Sequence, residues 1–333
     1  MYNMPIVCNV PDEEVSFSDR GFRYGLFNRK TFFSKQAKLF PRGKPDYRDI
    51  KQGYTDLDCY FLAVVSSVAK THPNKIMECF PEYKGKSISE INEKFAQATK
   101  VKVMFYKVKR DFVTENGKIS ECYSPNGKVY ITVEKSALRG KGAPWVRILE
   151  KAYAVYRIKN YDLGARKLYD KFQKKFNSRV IDGLNGGMSE CVMVTLTGER
   201  SKFLFLGSDK ERSKAKKFSD YYCPEALQLY EKIKEALASE KVVTAFASRG
   251  SKLYGKGLFF SHVYSVIDVF EKNGFKFVVV RNPYANRSRI YKKDSKGKMH
   301  SKTYIPKNPD GRGISELELN NFYKNFREIE YTI

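Results

Sequence analysis

An α+β fold is what the sequence predicts, on three observations. The stretch Tyr60-Phe61-Leu62-Ala63-Val64-Val65 is apolar on nearly every side and follows an Asp/Thr-rich turn, as a buried helix does. From Lys100 to Lys135 apolar and polar residues alternate, the period of half-buried strands. The C-terminal third pairs one amphipathic helical segment with several β-branched runs.

Residues 1–50 are loop-rich, with Phe17, Phe22, Tyr24, Phe27, Phe32 and Phe33 among charges and glycines. The apolar helix then runs from Cys59 to near Lys70 and Pro73, with Cys59 in its first turn. Val101, Val103, Phe105 and Val108, then Val129 to Val133, mark strands. The dipeptides Asn116-Gly117 and Asn126-Gly127 punctuate them and predict an antiparallel meander. Pro144 to Ala154 has helical spacing, whereas Ser189 to Thr197 reads as a strand. Arg200 through Lys217 is dense in basic residues and reads as a solvated linker. Tyr221 to Ser239 is an amphipathic helix, and Lys241 to Ala247 a buried strand. His262 to Val269 and Phe275 to Arg281 are strands joined by the hairpin turn Glu271-Lys272-Asn273-Gly274, and Ser315 to Tyr331 is a short helix and a last strand.

The bulk composition narrows the functional classes. At 333 residues with 42% hydrophobic and 14% aromatic content, the chain builds a core of one large unit or two lobes. Its formal net charge of +25 attracts nucleic acid, anionic lipid or acidic protein surfaces. No nucleic-acid-binding motif accompanies the scattered basic residues, so nucleic acid is not an expected partner. No apolar run is long enough to span a membrane, and the first residues lack the form of a signal peptide. A cytoplasmic protein, one exported by another route, or a fragment of a longer chain is expected. The six cysteines, Cys8, Cys59, Cys79, Cys122, Cys191 and Cys223, are dispersed without zinc-ligand spacing.

One cysteine stands apart by its setting. A thiol nucleophile needs a base, a group to orient that base, and a donor for the oxyanion. Cys59 at a helix N-terminus meets unpaired amides that favour the thiolate and lower its pKa. His262 opens a strand after the Gly255-Lys256-Gly257-Leu258 stretch, and Asn282 ends the next strand before Pro283. Adjacent antiparallel strands place these two near each other. Gln52, just upstream of Cys59, is a candidate oxyanion donor. Singly, each has a plainer reading: a core cysteine, a packed histidine, an Asn-Pro turn.

Taken together, these residues resemble the calpain family of cysteine peptidases. Gln52-Gly53 through Asp58-Cys59-Tyr60-Phe61-Leu62-Ala63 is similar to its Gln-Gly…Asp-Cys-Trp-Phe-Leu-Ala block. Trp145 through Ala154 is similar to its Trp…Leu-Leu-Glu-Lys-Ala-Tyr-Ala helix. Gly257-Leu258 with His262-Val263-Tyr264-Ser265-Val266 resembles its Gly-Leu…His-Ala-Tyr-Ser-Val block, and Arg281-Asn282-Pro283-Tyr284 its Arg-Asn-Pro-Trp block. Gly186-Gly187 and Leu196-Thr197-Gly198 have weaker counterparts. The blocks occur in order from about residue 47 onward. Between Gln52 and Cys59 there is one residue more than is usual, and Leu57 stands where a glycine is usual.

The resemblance implies a papain-like fold of two lobes with a cleft between them. A helix-rich lobe, residues 1–200, would carry the nucleophile; an antiparallel β lobe, residues 201–333, would carry histidine and asparagine. It implies peptide-bond hydrolysis through a thioester acyl-enzyme, with Cys59 as nucleophile, His262 as base and acid, Asn282 as orienter, and Gln52 on the oxyanion. Protein is then the substrate, with acidic regions favoured by the charge, and a monomer is the expected state. No cofactor is expected. Family calcium sites use acidic clusters, whereas Ala285 to Lys293 is basic; Asp162 lies where a first-lobe ligand would fall and reads first as a surface residue. The same site can serve deamidation or acyl transfer, and a basic binding module that has lost activity is the remaining alternative.

Overall fold

The computed structural model describes residues 13–16, 31–32, 36–52, 58–115, 117–137, 141–158, 184, 186–212, 222–247, 258–259, 261–285, 288–293, 299–304 and 313–333. Its architecture is α+β, with helices packed on a large, almost wholly antiparallel sheet.

The nine strands of that sheet are β1 (Glu13–Ser16), β2 (Lys100–Glu115), β3 (Lys118–Glu134), β4 (Ser201–Phe205), β5 (Val243–Ala247), β6 (His262–Lys272), β7 (Phe275–Arg281), β8 (Ile314–Glu318) and β9 (Phe326–Thr332). The order is β1-β3-β4-β9-β5-β6-β7-β8, with β2 paired to β3. Only the β1–β3 pair is parallel. The main helices are α1 (Cys59–Thr71), α2 (Pro73–Glu78), α3 (Ile88–Gln97), α4 (Pro144–Ile158), α5 (Ser189–Thr197), α6 (Pro224–Ala238) and α7 (Leu319–Asn325).

Helix α1 forms as its sequence predicts: Tyr60 through Ala69 are all buried, so no face of it meets water. Full burial of one such aliphatic or aromatic side chain stabilises by about 1.5–3 kcal/mol. Its core cluster joins α1 to α3, α4, α5 and the inner residues of β2 and β3. A second cluster gathers α6, α7 and the strands β5 to β9. Polar ties lock α1 to the strands that follow. Ser265 Oγ donates to Ala63 O at 2.8 Å, and Val243 N–H donates to Ser67 Oγ at 3.2 Å. The buried Arg281 guanidinium reaches Ser66 Oγ at 3.0 Å and Ile50 O at 2.8 Å.

Three segments differ from the sequence reading. Ser189–Thr197 is helix α5, not a strand, and all nine residues are buried. Hydrophobic period cannot separate a buried strand from a buried helix. Its β-branched residues fit because Thr195 and Thr197 donate their hydroxyls to the Cys191 and Met193 carbonyls, at 2.8 and 2.7 Å, and Gly198 ends the helix at φ 72°. The expected meander is a single long hairpin. Asn126-Gly127 lies inside β3, where two residues oppose one on β2 between the Tyr106 and Val108 pairs, and Gly127 at φ 80° makes a bulge rather than a turn. The expected linker after Arg200 begins as β4 in the middle of the sheet, with Lys202 and Arg212 buried. The hairpin turn at Asn273-Gly274 forms as expected, both residues at positive φ.

Candidate active site

The four candidate residues converge at the N-terminal end of α1. Cys59 is its first residue. Asp58 caps the helix by position, but its side chain accepts no bond from the first-turn amides. Those amides therefore keep their partial positive charge for whatever lies before the helix.

Strands β6 and β7 bring in the other side. His262 opens β6 and pairs with Ala247 of β5, and Asn282 follows the last residue of β7. The imidazole Nε2 lies 2.9 Å from Asn282 Oδ1. Tyr284 N–H also donates to that Oδ1, at 3.0 Å, so the atom must be the amide oxygen, and Nε2 must carry the proton it donates. This fixes the tautomer and leaves Nδ1 as the basic nitrogen. The ring is boxed by aromatics: Tyr284 stacks on it with centroids 5.1 Å apart, and Tyr264 meets it edge-on at 5.0 Å. Phe259 stacks on Tyr284 in turn, and its N–H donates to Tyr264 Oη at 2.7 Å.

The turn that presents Asn282 is itself constrained. Asn282 N–H donates to Gly313 O at 2.9 Å. A Cβ on Gly313, at φ 70°, would fall 2.4 Å from Ala285 O and 2.7 Å from Asn282 O, so glycine is required there. Gln52 joins the same turn, its N–H donating to Pro283 O at 2.9 Å. Its side chain lies near the buried Asp58 carboxyl, next in chain to Cys59, and favours the ionised form of that carboxyl.

The two halves meet at one cavity, which Cys59 and Val263, the residue after His262, both line. Burial pushes the Cys59 thiol up to about 12, and Asp58 adds to the rise; the Val263, Tyr60 and Cys59 amides oppose it. The expectation of a thiolate favoured by the helix terminus is thus corrected. The amides act in the expected direction, but loss of hydration outweighs them. A charged form has to come from proton transfer to a partner base.

Below the site lies a group of charges that local sequence did not reveal. Burial raises the Asp58 carboxyl, while the neighbouring Glu150, Arg147 and Gln52 side chains pull it back. Arg147 and Glu150 form a buried ion pair at 2.5 Å, one turn apart on α4. Their i, i+3 spacing inside the apolar face of α4 was the available signal. On the other side, a cavity of about 500 Å³ opens beside Cys59, walled by Gly186, Gly187, α5 and strands β4, β5 and β9. A Cβ on Gly187 would fall 2.4 Å from the Tyr60 ring, so backbone forms that wall. Asp162, Gly53 to Leu57, and Gly255 to Gly257 lie outside the described residues.

A cysteine at a helix start beside a His–Asn pair on neighbouring strands is an arrangement that thiol proteases use. The chain belongs to the calpain family of cysteine proteases, whose family model matches residues 26–331. It is also 24% identical over 317 residues to a calpain-type cysteine protease, ADL1, from Oryza sativa subsp. japonica. That alignment covers 90% of this chain and 12% of the relative, so the chain spans about an eighth of that protein's length.

Proposed function

We propose that the chain is a cysteine endopeptidase acting on proteins, with Cys59, His262 and Asn282 as its catalytic machinery. The observation that carries this reading is the 2.9 Å bond from His262 Nε2 to Asn282 Oδ1, beside Val263, which lines the same cavity as Cys59. The thiol, pushed up to about 12, is neutral at rest, so attack is coupled to proton transfer onto His262 Nδ1. Sulfur bonds to the substrate carbonyl carbon, and the oxyanion takes hydrogen bonds from the Cys59 amide and Gln52. Collapse breaks the C–N bond, and His262 returns the proton to the leaving amine. Water then attacks the thioester with His262 as base, freeing the acid and restoring the thiol.

The nucleophile and base belong, on this reading, to two lobes, residues 1–200 and 201–333, working as a monomer across a papain-like cleft. Two hydrophobic clusters, one around α1 and one around α6 and α7, support that division. The net charge of +25 draws acidic regions of substrate proteins at long range, an attraction that salt weakens. Calcium does not fit the second half of the site: Arg289, Lys292 and Lys293 follow where carboxylate ligands would be needed. Activity is therefore expected to persist in excess chelator, and a loss restored by added calcium would overturn that part.

Incubation of wild-type and Cys59→Ala protein with casein, followed by mass spectrometry, tests the reaction itself. Cys59-dependent new termini support the peptidase. Mass gain at intact side chains would instead assign deamidation or acyl transfer, and no change with either protein would leave only a binding module.

A further inference from the structure

Sheet register brings carboxylates from distant parts of the chain to the cavity beside Cys59. On β9, Glu328 and Glu330 are two residues apart and share one face. Glu330 pairs across to Phe203 on β4 and Thr244 on β5, and Glu328 to Phe246. Phe246 in turn pairs with Val263 of β6. That face lines the cavity, and Glu190 from α5 completes it. The alternate residues, Ile329 and Tyr331, point into the second core cluster.

The wall is acidic and aromatic, with no lysine, arginine or histidine among its described residues. Glu330 is 4% exposed; Thr244 Oγ1 donates to its Oε2 at 2.7 Å, and no described cation pairs with it. Lys202, on the neighbouring strand, extends from the opposite face, where it lies over the Tyr331 ring and pairs with Glu115. Burial, then the nearby Glu190 carboxylate, raises Glu330 well above the usual carboxylate range, and Glu328 adds to it. Burial also raises Glu328, which Arg327 and Arg212 pull back down from outside the cavity. The buried Glu330 carboxyl is costly to ionise with no described cation beside it, and a cation bound in the cavity removes that cost.

We propose that this cavity is a specificity pocket for a lysine or arginine side chain of the substrate protein. The inference rests on the peptidase reading, whose nucleophile opens into the same cavity. A long basic side chain matches both parts of the wall: its methylene stem lies along Phe203, Phe246 and Val263, and its charged head meets Glu330, Glu328 and Glu190. The volume of about 500 Å³ admits such a side chain together with neighbouring backbone. Whole-molecule charge and pocket charge are opposite in sign, so long-range attraction to acidic regions and local choice of a basic residue act on different parts of one substrate.

Cys59→Ala protein, which binds without turnover, is titrated with matched peptides carrying arginine, lysine, leucine or glutamate at each position in turn. At one position the basic peptides are expected to bind at least about tenfold tighter than leucine, the scale of one desolvated charge-assisted contact. Adding Glu330→Gln, or the half-buried Glu328→Gln should the first fail to fold, brings the ratio toward one. Equal or tighter binding of leucine at every position overturns the pocket, as does a basic preference unchanged in both glutamine variants. Basic preference in binding without cleavage by wild-type protein overturns the peptidase reading and leaves the pocket standing. Cleavage without basic preference does the reverse.

Discussion

The nucleophile side and the base side of the site are held by different forces. Cys59 stands half-buried on a helix fixed by burial: ten consecutive residues after it are inside, and loss of hydration pushes its thiol up to about 12. His262 is held instead by directed contacts, the Asn282 amide at 2.9 Å and aromatic rings on face and edge. A nonpolar mount gives rigidity but resists charge; a polar mount fixes a tautomer and accepts it. On the proposed mechanism neither side alone makes a reactive thiol near neutral pH, and the two work only as a pair.

Separating the pair gives the largest expected effects. Cys59→Ala and His262→Ala each lower kcat/KM on a protein substrate by roughly 10⁴-fold or more, with unfolding temperature nearly unchanged for Cys59→Ala and modestly lowered for the buried His262. The comparison is sharper in alkylation. In His262→Ala the half-buried thiol keeps its raised value without a base, so labelling by iodoacetamide is slow at pH 7 and climbs about tenfold per pH unit toward about 12. On the proposed mechanism wild-type Cys59 is expected to label readily at neutral pH, with His262 taking the proton. Equal labelling of the two proteins at pH 7 would show that the imbalance between the sides is not real.

Next come the groups that bridge the sides. Gln52 spans both, its N–H bound to Pro283 O and its side chain near Asp58. Gln52→Ala is expected to lower kcat about 10²–10³-fold with little change in KM, as for loss of an oxyanion donor. Asn282→Ala frees the imbalance differently, by releasing the imidazole, and costs about 10²-fold, chiefly in kcat. A rise in KM alone for Gln52→Ala would remove it from the oxyanion and assign it to holding the Asn282 turn.

The same division explains what could be read from sequence. Helix α1, strands β5 to β7 and the Asn273-Gly274 turn were legible because each is set by local period or turn chemistry. The residues at the two ends of the site were legible because they fall in ordered blocks. Helix α5 was not, since two threonine side chains satisfy themselves against its own backbone and erase the expected strand. Nor was the acidic wall: Glu190, Glu328 and Glu330 become neighbours only through the register of β9 against β4 and β5 and the packing of α5. Gly313 is required by a turn about thirty residues away in sequence. Long-range pairing of this kind leaves no local pattern.

The smallest effect tests how much of the base side's hold comes from its aromatic box. Tyr284 stacks on His262 with an interplanar angle of 10°, and its backbone N–H, not its side chain, is what binds Asn282. Tyr284→Leu therefore keeps the hydrogen bond to Oδ1 and removes only the stacked face. Aromatic pairs contribute about 0.5–1.5 kcal/mol beyond their area, which corresponds to roughly a 2- to 10-fold loss in kcat/KM. Tyr284→Trp restores a ring at that place and is expected to recover the loss. If leucine is as active as tyrosine, the Asn282 bond alone positions the imidazole. A loss as large as that of Asn282→Ala would mean the ring and the amide hold it jointly, and the contrast between a packed side and a bonded side would weaken.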